Sequence, residues 1–77
     1  MKKKEEWLTL IEGEALLMHK KAGSDVVTLI AMQPGTEIFI APGEEHCLLA
    51  KENSVVFERG FDYKGMDQDL IFIYLPE

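Results

Sequence analysis

Cysteine is nearly missing from this chain. Cys47 is the only one in 77 residues, so no internal disulfide is possible and a reducing, cytoplasmic setting is expected. Long apolar runs are missing too: nothing approaches the roughly 18 residues that a membrane span requires. The amino-terminal stretch MKKKEEWLTLIEGE has neither an uninterrupted apolar core nor a small-residue cleavage site, which argues against a signal peptide. Positive charge is in short supply, with 8 basic against 14 acidic residues and a net charge of −6. Such a field repels phosphate backbones, and the one basic cluster, Lys2 to Lys4, runs directly into Glu5 and Glu6. Neither nucleic acid nor membrane is expected as a partner. There is no glycine-rich phosphate loop, serine-triad motif or CxxC zinc pair.

What remains is an ordinary globular composition, 47% hydrophobic and 29% charged, which excludes disorder. The length allows a single domain over residues 1–77. A chain this short buries only about 60% of the surface its unfolded form exposes, so it gains from a partner.

Turn residues punctuate the chain at short intervals: Gly13, Gly23-Ser24-Asp25, Pro34-Gly35, Pro42-Gly43, Asn53-Ser54, Gly60, and Gly65 to Asp67. β-branched and aromatic residues crowd the gaps. The rhythm predicts short strands over Trp7–Glu12, Ala15–Lys20, Val26–Met32, Glu37–Ile40, Cys47–Lys51, Val55–Arg59 and Leu70–Leu75, hence an all-β sandwich or barrel. A helix over 4–21 is the rival, since Trp7, Leu8, Ile11, Ala15 and Met18 share a helical stripe. Gly13 in its middle would cost about 1 kcal/mol relative to alanine, and Leu10, Leu16 and Leu17 fall off the stripe. The runs from Val26 to Ile30 and from Leu70 to Leu75 are nearly continuous in apolar character and predict strands covered on both faces. One chain has little material for that second cover, so a homo-oligomer, most simply a homodimer, is expected.

One stretch carries a chemical signal: PGTEIFIAPGEEHCLLA, from Pro34 to Ala50. Gly35 and Pro42-Gly43 bracket a strand and supply the turns that reverse the chain. His46 then opens the next strand, with Leu48 and Ala50 on its face and Cys47 on the other. The spacing of Gly35, Gly43 and His46 resembles the second motif of the cupins, a superfamily of small β-barrels. Glu6 and Gly13, with six residues between them, fit the end of the first cupin motif. The resemblance covers Glu6 to about Arg59 and departs at Ala41 and Ala50, where cupins have proline and asparagine. It implies a cupin-like, jelly-roll type small β-barrel, shortened at its amino terminus.

In cupins, residues matching His46 and Glu6 bind a divalent transition metal together with a His-x-His pair, or line a small-molecule site. That pair would fall at or before Met1 and Lys2, which leaves only Glu6 and His46. Two ligands rarely hold a catalytic ion that ordinarily has three. The resemblance therefore implies a cupin-fold small-molecule-binding domain with an incomplete metal site. Two alternatives stand beside it: a metal-dependent sugar or sugar-nucleotide isomerase or epimerase whose His-x-His lies outside this chain, and a non-catalytic assembly module. His46 reads equally well as a strand-start residue bonded to backbone, and Glu6 as a solvated carboxylate. His19 is expected at the surface and Glu44 and Glu45 solvated in a turn. Cys47 is expected to pack as a small hydrophobe, and Asp62, Asp67 and Asp69 to lie in a loop with Tyr63. Trp7, Phe39, Phe57 and Phe72 read as core.

Overall fold

The computed structural model describes residues 5–62 and 65–74, and within them every regular element is a strand. The elements are β1 (Glu5–Glu12), β2 (Ala15–Lys20), β3 (Val27–Met32), β4 (Glu37–Ile40), β5 (Glu45–Ala50), β6 (Ser54–Asp62) and β7 (Gly65–Ile73). They form two antiparallel sheets, one ordered β4-β1-β6-β7 and the other β3-β2-β5. Among the described residues no ladder joins the sheets, so they make an open sandwich rather than a closed barrel.

Alternation decides the two faces. Leu8 and Leu10 of β1, Ile40 of β4 and Val56 of β6 meet Ala15 and Leu17 of β2 and Met32 of β3 in one buried core. Ile30, Ile38, Leu48, Ile71 and Ile73 pack around it. An extra residue at Ile11 breaks the β1–β6 register between Leu10 and Glu12, a bulge that leaves Ile11 exposed.

At one end, here the closed end, the links between the sheets touch. Gly13 sits at φ +98°, and a Cβ there would lie 2.6 Å from the Asn53 carbonyl oxygen and 2.8 Å from Ser54 Cα. The Lys51 amide donates to the Glu14 carbonyl at 2.9 Å, and the buried Ser54 hydroxyl donates to the Glu52 carbonyl at 2.8 Å. The opposite end, the mouth, carries Glu6, His19, the Ala41–Glu44 turn and His46.

Several expectations are corrected. The last two strands form a hairpin that reaches down to Asp62 and Gly65, so Asp67 and Asp69 lie in a strand rather than a loop; Tyr63 falls outside the described residues. Trp7, Phe39, Phe57 and Phe72 lie on the outer face of the four-stranded sheet, not between the sheets. Trp7 packs there against Phe39 and edge-on against Phe61, with ring centroids 4.8 and 5.4 Å apart. The Arg59 guanidinium lies 5.4 Å from the Trp7 ring. Sequence alternation cannot separate these faces because both are apolar. Residues predicted to need cover on both sides have it on one: Leu29 is 60% exposed and Phe72 54%.

Candidate functional site

The mouth is built by the turn between β4 and β5. The Glu44 amide donates to the Ala41 carbonyl at 3.1 Å, with Pro42 in the second position and Gly43 at φ +85° in the third. That is the residue pattern of a type II turn, which needs positive φ at its third position. The turn holds Glu44 in place, and a single carboxylate oxygen, Oε1, accepts from the Ala41 amide at 2.7 Å and from His19 Nε2 at 2.9 Å. Both side chains are only 11% exposed. The Glu44 carboxyl is held below its ordinary value of 4.5, first by the Ala41 amide and then by the His19 bond. Acceptance of a hydrogen bond by Glu44 fixes the proton on Nε2 of His19.

His19 and Glu44 are therefore not the surface and solvated residues that the sequence suggests. His19 shares the inward parity of Ala15 and Leu17, and it stands directly across the ladder from His46. Leu16 and Met18, with the opposite parity, are just as apolar, so the sequence does not reveal which way His19 points. The approach of Glu44 across 25 positions has no local signal at all.

His46 lies where the sequence places it, half-buried at the start of β5 with the inward parity of Leu48. Glu6 has the inward parity of Leu8 and sits opposite Ile40 and Gly60 in the other sheet. The two thus share the mouth on facing sheets. Among the described residues, no three His, Cys, Asp or Glu side chains come together in a way that could hold a metal ion. Cys47 faces outward, as its parity requires, but is exposed rather than packed.

A shallow depression of about 190 Å³ is lined by Met18, His19, Lys20, Val27, Glu45, His46 and Cys47. Met18, Lys20, Val27, Glu45 and Cys47 share the outward parity of the three-stranded sheet, so this hollow opens on its outer face, near the mouth end, where His19 and His46 also line it. It is smaller than the roughly 300 Å³ at which ligand pockets begin. The surrounding face is apolar: Leu16 lies between Ala31 and Leu49, and Met18 between Leu29 and Cys47. Its charges sit at the rim, where Lys20 and Glu45 approach to 3.5 Å. No helix of the described residues is long and apolar enough to cross a membrane. No family model, curated protein or solved structure matches this chain.

Proposed function

We propose that this chain is a jelly-roll domain of the cupin type that works by association, as a non-catalytic assembly module that forms a homodimer. The strand order supports the fold. An eight-stranded jelly roll interleaves two four-stranded sheets. Counted from its third strand, β1, β4 and β6 fall in one sheet and β2, β3 and β5 in the other, in the observed order. β7 then takes the place of the first strand, and among the described residues the second strand has no counterpart.

The observation that carries the functional reading is the outer face of the three-stranded sheet. Leu16, Met18, Leu29, Ala31, Cys47 and Leu49 adjoin there without an intervening charge, with Leu29 60% and Leu49 48% exposed. Contiguous apolar surface of this kind marks association sites. A second copy is the occupant it suits. Two chains of net charge −6 repel unless they approach through an uncharged surface, and here the charged pair of Lys20 and Glu45 lies at the rim. Sedimentation equilibrium at micromolar concentration is expected to show a dimer, and Leu29→Asp a monomer with unchanged circular dichroism. A wild-type chain that sediments only as monomer overturns the reading.

A small-molecule site at the mouth is the second reading. What favours it is the adjacency of His19 and His46 on the inward face, with Glu6 on the facing strand. An enzyme of the isomerase or epimerase kind would need further metal ligands beside Glu6 and His46.

A further inference from the structure

The two sheets are unequal. Four links cross between them; the three at the closed end, β1–β2, β3–β4 and β5–β6, set β4 over β3, β1 over β2 and β6 over β5, while β4–β5 crosses at the mouth. Among the described residues no strand lies across from β7. Exposure along β7 agrees: where β5 alternates strictly, β7 is exposed at every position from Gly65 to Leu70, on both faces. The strand order thus leaves a notch beside β5 and over β7 that no described strand fills, its wall the outer edge of β5 and its floor the inward face of β7.

That edge is lightly guarded, with charge only at its two ends, at Glu45 and Lys51. Charge at inward positions, proline and bulges are the usual guards. β5 has none of them between His46 and Ala50. The notch is also chemically graded. By parity, Leu48 and Ala50 of β5 and Ile71 and Ile73 of β7 point inward toward the closed end, and His46, Asp67 and Asp69 toward the mouth end. A second copy does not fit through its own β5, because its β6 would need the space that β7 holds.

We propose that this notch accepts an extended segment of another polypeptide, which adds to β5 as a fourth strand. Its inward-facing residues are apolar over Ile71 and Ile73 and basic over Asp67 and Asp69. Backbone hydrogen bonds to β5 supply affinity, and the alternate side chains supply selection, as in other cases of strand addition. Strands in a sheet lie about 4.8 Å apart, so the position holds one strand and no more. His46 takes its place at the mouth end of the wall, beside the basic residue of the segment. The site is separate from the outer face that forms the dimer, so it is tested equally well on a monomeric or a dimeric chain.

The probe is a blocked heptapeptide, Thr-Val-Thr-Val-Thr-Lys-Thr, which presents two valines and one lysine on one face when it runs antiparallel to β5. Amide chemical shifts of the isotope-labelled wild-type chain are followed as the peptide is added to millimolar concentration. Saturable shifts are expected within residues 45–50 and 65–73, with the lysine-to-glutamate peptide binding about threefold more weakly, the worth of an exposed ion pair. Asp67→Asn combined with Asp69→Asn is expected to abolish that preference while the shifts in β5 persist. Absence of shifts, or shifts confined to β3, the other bare edge of that sheet, overturns the proposal. So does equal binding of the two peptides by the wild-type chain.

Discussion

The two ends of the sandwich are held by different chemistry. At the closed end the contacts are backbone and hydroxyl: Gly13 against Asn53 and Ser54, and Lys51 bonded to Glu14. No group there needs a charge. At the mouth the link is a carboxylate, Glu44, shared between a turn amide and an imidazole. The closed end therefore depends on shape and the mouth on protonation. This difference teaches where the molecule can be tuned: sterics fix one end in every solvent, while acid loosens the other.

The largest effect comes from breaking the closed end. Gly13→Ala places a methyl group against backbone atoms and forces a non-glycine residue to φ +98°. Together these cost about 2–4 kcal/mol. The urea midpoint should fall sharply and by the same amount at every pH, and a loss confined to acid would equate the two ends. Flexible side chains could yield, but the Asn53 carbonyl and Ser54 Cα cannot.

At the mouth the effect is smaller and depends on pH. Because the Glu44 carboxyl is held below 4.5 in the folded chain, its contribution is fully present above that value and is lost as pH falls through the lowered one. Glu44→Gln keeps an oxygen for the Ala41 amide but removes the charge. It is expected to be less stable than wild type at neutral pH, with the gap closing in acid. Urea titrations of both chains across that range decide it; a gap that widens in acid would reverse the assignment of the two ends.

The smallest expected effect is on metal. Two ligands leave most of an ion's shell to water, so the mouth as described holds divalent metal weakly. Elemental analysis after dialysis should find well under one equivalent per chain. A stoichiometric ion, lost on His46→Ala, would instead make the mouth the working end and Glu6 the next residue to change.

Much of the fold is legible in the sequence because turns are local. Pro42-Gly43 and Gly13 mark reversals from their own backbone preferences, and β2 and β4 begin and end where the punctuation places them. The boundaries that shift are those set by pairing. β6 runs on to Asp62 and β7 starts at Gly65 because each strand satisfies the other's backbone, even through the charged residues Asp67 and Asp69. Nothing in the composition of that segment announces a strand.

The sequence by itself determined the all-β class, the turn that presents His46, and its shared face with Leu48 and Ala50, since these follow from φ preferences and a period of two. Tertiary structure decided which apolar face is core and which is bare. Leu17 and Met18 are near equals in hydrophobicity, yet only Leu17 meets the opposite sheet. It also decided that His19 is tied to Glu44 and that, among the described residues, β5 ends its sheet. Those facts depend on how strands distant in the chain are stacked, and no short window of sequence contains that information.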